Sequence, residues 1–302
     1  STGSGNNTSD FAIRQAYVAL RAPVGTGLDF KMGVFDSIIG YESIESGNNP
    51  NFTRSYGHTI EPQTMTGLMT SYRFCDWFSL SGGVADTWNQ TINDRAYSPV
   101  NAPVAAYSPS TQAESYKAYM GSVALTAPDS WGFLSGSTLY GGIVNGFADM
   151  GTVNAVVGRP LTVSSYYVGA TVATPVTGLR AGVAFDYLNL VNANNDDYSF
   201  AGYLSYQATE KLSFHARAEY YKDKLGNSAQ GAVLFSDVPA GSRAEVLSLT
   251  GTVQYDLWKN VISRLELRWD HSLNYQNLFD GTADNPTSLN SWMLAANVIY
   301  KF

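Results

Sequence analysis

Charge is scarce in this chain. Asp, Glu, Lys and Arg together make up 14% of its 302 residues, against roughly 25% in ordinary soluble domains. Long apolar runs are missing too, and no stretch approaches the ~18 consecutive apolar residues that a membrane helix needs. Helical membrane spans are therefore excluded. A single cysteine, Cys75, rules out an intrachain disulfide framework and any cysteine-based zinc cluster. Basic residues are outnumbered, and the net charge of -7 argues against an electrostatic nucleic-acid binder. The opening residues STGSGNNTSD carry no initiator Met, basic stretch or apolar stretch, so no export signal is visible.

Aromatics reach 13% and there are 28 glycines. Low charge with many aromatics and glycines but no hydrophobic block is the balance of a chain whose apolar and polar positions are interleaved one by one. A barrel spanning lipid has that composition. The stretch KLSFHARAEYYKD shows the interleaving directly: Leu212, Phe214, Ala216, Ala218 and Tyr220 alternate with Ser213, His215, Arg217, Glu219 and Tyr221. Successive side chains of a strand point to opposite faces, so one face is apolar and the other charged.

Period-two segments recur at 11–21, 28–39, 63–74, 78–88, 116–126, 133–145, 163–173, 179–190, 198–208, 211–223, 244–256, 261–272 and 290–302. Most are as long as the ~9 to 11 residues a tilted strand needs to cross a bilayer, and longer than the roughly five or six of globular strands. Short connections such as APVGTG, TPVTG, ATEK and DLWKN alternate with long ones at 40–62, 89–115, 146–162, 224–243 and 273–289. That alternation predicts tight periplasmic turns and longer external loops. Trp77, Phe78, Trp131, Phe133 and Trp258 flank the short turns, as an interfacial girdle requires.

The expected fold is all-β: one domain over 1–302, a transmembrane antiparallel up-and-down β-barrel with about 13 strands in this chain. Bacterial single-chain barrels have even strand numbers, so the expectation extends to about 14 strands, with one preceding Ser1. A strand missed within 91–112 or 227–238 is the alternative. The last segment presents Trp292, Leu294, Ala296, Val298, Tyr300 and Phe302 on one face. A terminal amphipathic strand ending in an aromatic resembles the signal that outer-membrane barrels offer to the barrel assembly machinery.

The stretches FAIRQAYVALRAPVGTGLDFKMGVFDSIIGYESIES and NPNFTRSYGHTIEPQTMTGLMTSYRF carry a more specific likeness. Through RQAYV, GLDFKMGVFDSIIGYE, NPNFTRSY and EPQTMTG the chain resembles the β-barrel porin-2, or OmpL-like, family. The detailed resemblance covers roughly the first ninety residues. It implies a pore-forming protein in the outer membrane of a diderm bacterium and supplies no catalytic residues.

Charges on the polar face of the strands are expected to line the lumen: Asp29, Lys31, Arg180, Asp186, His215, Arg217, Glu219, Arg264, Glu266, Arg268 and Asp270. In a dry core each unpaired ion would cost several kcal/mol, and a wet interior removes that cost. Cations and anions nearly balance, so no strong ion selectivity follows. Porins narrow their pores with fixed charge and often an infolded loop. The stretch 40–62, with Glu42, Glu45, Arg54, His58 and Glu61, is the candidate constriction; 89–115, with Asp94, Arg95 and Glu114, is its rival.

No cofactor or metal is expected. His58, His215 and His271 lack metal-ligand spacing, and the Asx-rich stretches 192–197 and 280–285 read as turns before Ca²⁺ sites. No G-x-S-x-G elbow is present, so an enzyme is not expected. The function expected is that of an outer-membrane porin passing small hydrophilic solutes and ions. The alternatives are a plugged structural or adhesive barrel that binds partners through external loops, and a hydrolase with its site at the rim. The partners expected are outer-membrane lipid, small hydrophilic solutes and the assembly machinery, with no nucleic acid. Small residues assigned to the lipid face (Gly121, Gly169, Ala170 and Gly251) are candidates for contacts within a homotrimer, although glycine also serves strand curvature.

Overall fold

The computed structural model describes residues 14–88, 115–147, 162–191, 195–223, 243–274, 277–282 and 285–301. Thirteen of its strands form one antiparallel sheet in which each strand pairs with the next strand of that sheet along the chain. They are β1 (Ala16–Ala22), β2 (Leu28–Asp36), β3 (Thr64–Cys75), β4 (Phe78–Ala85), β5 (Ala118–Thr126), β6 (Thr138–Phe147), β7 (Thr162–Ala173) and β8 (Leu179–Leu190). β9 (Asn195–Gln207), β10 (Leu212–Asp223), β11 (Glu245–Trp258), β12 (Val261–Ser272) and β15 (Asn290–Tyr300) complete it. Among the described residues, β1 is paired with β2 alone and β15 with β12 alone. The additional strand expected before Ser1, and the alternatives within 91–112 and 227–238, lie outside the described residues.

The alternation seen in the sequence sets the two faces. Ala216 of β10 stands opposite Leu204 of β9 and Gly251 of β11, all facing outward; Arg217 stands opposite Tyr203 and Thr250, all facing inward. Outside, Leu204, Phe214, Leu249, Val253, Leu265 and Leu267 are exposed side by side. A soluble monomer does not tolerate so large an apolar surface, whereas lipid covers it at no cost. Inside, Ser199, Glu219, Ser248, Thr250, Thr252, Arg264 and Glu266 are buried. Each strand between β1 and β15 in the sheet is hydrogen-bonded to a neighbour on both sides, which satisfies backbone groups as the hydrocarbon layer demands. Trp77, Trp131, Phe133 and Trp258 are all exposed beside the short turns, where the girdle was expected.

Several boundaries differ from the sequence expectation. The segment expected from 133 begins as a strand only at Thr138, because a 3-10 stretch over Asp129–Leu134 follows Pro128, and Gly132 and Gly136 sit at positive φ (61° and 73°). β2 stops at Asp36 rather than 39, where the chain turns into the barrel. The long connection 273–289 carries a hairpin of its own, β13 (Phe279–Thr282) with β14 (Asn285–Ser288). Strands of four residues are too short to show a period-two pattern. Gly169 was assigned to the lipid face, and this is corrected: a side chain there would meet the Tyr167 hydroxyl on the inner face. A glycine has no side chain to reveal the phase of its strand. Gly121 stands opposite Ile143, and Ala170 opposite Leu139 and Val183, on the outer face.

The sheet wraps around the connection between β2 and β3. Residues of this loop touch β8, β10 and β12, and Gly47 accepts a hydrogen bond from Lys301, beyond the last strand (3.0 Å). Its apolar side packs Ile39, Tyr56 and Ile60 against Phe35, Met65, Val144, Tyr167, Ala184, Leu188 and Ala201 of the inner wall. A small hydrophobic core therefore exists inside the barrel, and it holds the loop there.

Candidate functional site

The loop owes its shape to local signals in NPNFTRSYGHTIEP. Ser55 caps the short helix α1 (Tyr56–Ile60), its hydroxyl accepting the His58 N–H at 3.0 Å, a standard N-cap arrangement. Pro62 cannot continue a helix and returns the chain to β3. Asn49 ties the preceding turn together, accepting from the Ser43 N–H (2.7 Å) and donating to the Ser43 and Glu45 carbonyls. Two glycines admit the loop to the wall. A methyl group on Gly57 would meet the Asp186 carboxylate, and one on Gly182 would meet the Tyr41 hydroxyl.

Arg217 is the centre of the contact. Its guanidinium donates to Glu42 (2.8 Å), to the Thr53 carbonyl (2.8 Å), to the Arg54 carbonyl (3.1 Å) and to the Thr53 and Thr250 hydroxyls. Glu42 also accepts from the Ser55 N–H (3.0 Å) and the Tyr203 hydroxyl (3.2 Å). Glu266 accepts the Phe52 and Thr53 N–H groups at 2.6 and 2.9 Å and the Thr252 hydroxyl at 2.7 Å. Glu219 accepts the Gly57 N–H (3.0 Å) and the Ser199 hydroxyl (2.8 Å). Arg264 donates to the Ser46 and Asn49 carbonyls (2.8 and 2.6 Å), and Arg268 to the Arg54 carbonyl (2.7 Å). Arg268 also pairs with Asp270 at 3.0 Å and lies over the Tyr56 ring, 4.9 Å from its centroid. Stacked pairs Tyr41–Tyr203 (4.1 Å) and Tyr56–Tyr221 (5.1 Å) brace the two ends.

Wall and loop candidates thus meet in one network. The loop, rather than lumen water, supplies partners to the wall charges Arg217, Glu219, Arg264, Glu266 and Arg268, and Arg217, Glu219 and Glu266 are 2%, 1% and 0% exposed. Backbone amides and carbonyls of residues 46–57 replace the solvation that an open bore would give, so these charges are affordable where they sit. Four candidates stand apart from that network. Asp29 is held bidentately by Arg21 (2.7 Å for each bond), and Lys31 lies over the Tyr17 ring, both on the β1–β2 wall. His215 meets the Ser205 hydroxyl at 2.9 Å, and Arg180 is exposed in the lumen. Within the loop, Glu45 joins Arg14 (3.4 Å) and Asn48 (2.6 Å), and Arg54 donates to the Ile44 carbonyl (2.8 Å).

Glu61 and His58 lie at the return of the loop, 3.7 Å apart. Burial, with Glu42 and Glu219 nearby, pushes Glu61 up to about 8, against a hydrogen bond with Asp186 that pulls the other way. Burial holds His58 below the ordinary imidazole range. Asn51, Thr53, Tyr56, Tyr203 and Thr252 take part without having been singled out by sequence. The density of Asn, Thr, Ser and Tyr in NPNFTRSY was the available signal. The rival loop residues Asp94, Arg95 and Glu114 lie outside the described residues, as does Phe302, and the stretches 192–197 and 280–285 do so in part. Among the described residues no cluster of three His, Cys, Asp or Glu is arranged to hold a metal.

Two cavities flank the loop. One, of about 500 Å³, lies toward the short turns and is lined by Tyr41, Asn48, Tyr140, Arg180, His215 and Arg264 among others. The second, of about 270 Å³, lies toward the long connections beside Asp36, Glu42, His58 and Glu61.

A solved outer-membrane protein shares this fold. OmpT of Vibrio cholerae is 14% identical, with a TM-score of 0.53 over 87% of this chain and 72% of that one. The same protein, folded in vitro and described in a trimer form, gives 0.53 over 96% and 80% at 14% identity. OpdQ of Pseudomonas aeruginosa is 12% identical with a TM-score of 0.43, over 94% and 78%. No curated protein matches the sequence. The family described as "Putative beta-barrel porin-2, OmpL-like" matches residues 1–302, so the likeness first read in the N-terminal stretches extends to the whole chain. The chain belongs to that porin-like family, and its place is the outer membrane of a Gram-negative bacterium.

Proposed function

We propose that the protein is a porin through which small hydrophilic solutes and ions diffuse passively, with the loop 37–63 as its constriction. The observation that carries this reading is the docking of the loop on the inner wall through Arg217, Glu219, Arg264 and Glu266, with a cavity left on each side. A loop held at mid-barrel by fixed charges narrows a bore without closing it, which sets a size limit and an electrostatic one. Diffusion of this kind needs no cofactor and no catalytic group, and the reading assigns none.

Assembly as a homotrimer belongs to the same reading, since one neighbouring structure is described in a trimer form. So does recognition by the assembly machinery of the outward stripe Trp292, Leu294, Val298 and Tyr300, all exposed on β15. A second reading, a barrel plugged by its loop and used for adhesion, is favoured by the near-complete burial of Arg217, Glu219 and Glu266. Swelling of liposomes loaded with the purified protein separates the two. The porin reading expects swelling in arabinose and much slower swelling in the tetrasaccharide stachyose; no swelling in either sugar supports the plug.

A further inference from the structure

The balance of charge along the wall conceals a separation along the barrel axis. On the side of the long connections the inner surface is acidic: Asp36, Glu42 and Glu61 border the smaller cavity, with Asp186 beside them. The side of the short turns is the reverse. Arg180 follows the turn into β8, stands opposite Ser205 of β9, and Ser205 in turn stands opposite His215 of β10. These three form one inward row, and they share the larger cavity with Arg264. Among the described residues that line this cavity there is no carboxylate.

The cations here are also not neutralised by direct partners. Among the described residues, the Arg180 side chain has neither a hydrogen bond nor an ion pair. Arg264 donates to the Gln254 amide oxygen (2.8 Å) and to two backbone carbonyls, none of them charged. Lys301 donates to the Gly47 carbonyl, and Gly47 is part of the cavity wall. Asp256, the acidic group on this stretch of β11, is engaged by the Gln254 amide (3.0 Å) and does not line the cavity. Glu266 is occupied by the loop amides on the far side of Arg264.

We infer that this cavity is an anion-binding vestibule on the short-turn side of the constriction, suited to small organic carboxylates and phosphates. A concave mouth with low-dielectric walls focuses the field of its fixed charges and raises the local concentration of counter-ions. The planar, five-donor guanidinium of Arg180 matches a carboxylate or phosphate in two-point contact. The tyrosines Tyr41 and Tyr140 supply hydroxyls and ring faces for the uncharged body of such a solute. The consequence for transport, a preference for anions, rests on the porin reading; the binding site itself does not.

The test uses the full chain in a planar bilayer under a KCl gradient, with sodium gluconate and inorganic phosphate as probes and glucose as the uncharged control. The reversal potential is expected on the chloride side, and gluconate or phosphate, but not glucose, is expected to interrupt the current. R180Q is expected to shorten those interruptions severalfold and move the reversal potential toward potassium, whereas K259Q, which removes a cation at the rim outside the cavity, leaves both unchanged. A potassium-side reversal potential in the unaltered protein, or an R180Q channel indistinguishable from it, overturns the vestibule and leaves the porin reading standing. A barrel that conducts no current overturns the porin reading instead. Calorimetric titration of gluconate into the detergent-solubilised barrel then decides the site alone: binding that R180Q abolishes supports it, and no binding in the unaltered protein overturns it.

Discussion

Replacing Arg217 and Arg268 together with methionine is expected to raise single-channel conductance severalfold and to make the current noisy. Arg217 alone connects Glu42, Thr53, Arg54 and Thr250, and Arg268 adds a bond to the Arg54 carbonyl and a contact with the Tyr56 ring. Breaking a buried pair by deleting one partner costs about 3–5 kcal/mol, because the other charge stays buried without compensation. A change of that size shifts the balance between docked and released loop by about two to four orders of magnitude. The ladders of β10 and β12 involve backbone groups only, so the barrel itself is expected to keep its resistance to SDS at room temperature. Conductance equal to that of the unaltered protein would show that the loop does not control the bore.

Alkali is expected to loosen the same loop. Glu61 titrates at about 8 in the folded protein against an ordinary value of 4.5, chiefly because it is buried. The neutral form is therefore the one the docked loop prefers. Its contribution is fully present below about 4.5 and is lost progressively as pH rises through about 8. Glu42 and Glu219 strengthen the trend by repelling a charged Glu61, and a hydrogen bond with Asp186 works against it. Burial holds His58 below its ordinary range, so it carries less positive charge here than a free imidazole would. Conductance is expected to increase as pH rises from about 4.5 to about 8, and the E61Q variant, which keeps a neutral side chain, is expected to show a much flatter profile. An equally steep rise in E61Q would assign the effect to another group.

Much of the barrel was legible in the sequence because strand phase is written in side chains. The run from Leu212 to Asp223 states its two faces without help from any other segment, and β11 and β12 repeat the pattern in register with it. Where side chains are small, the phase fades, and Gly169 was placed on the wrong face for that reason. The hairpin Phe279–Thr282 with Asn285–Ser288 escaped because each arm holds too few residues to establish a period. The candidate residues of the loop and of the wall were both found, but their meeting was not. Arg217 and Arg268 bind the carbonyls of Thr53 and Arg54, and Glu266 binds the amides of Phe52 and Thr53. Every residue type but proline offers those backbone groups, so no particular identity at positions 52–54 announces the contact. Charge separation along the axis was hidden in the same way, because totals over the wall add Arg180 to Asp186 although they serve opposite ends.

That the loop lies in the path of the current is tested most directly by placing a thiol on it. Asn48 belongs to the loop and lines the larger cavity, so N48C in a C75S background carries a single reactive group in the bore. With one channel conducting in a planar bilayer, a membrane-impermeant charged thiol reagent is expected to lower the current in one irreversible step. A current untouched by the reagent, although labelling is complete by mass spectrometry, would contradict the account.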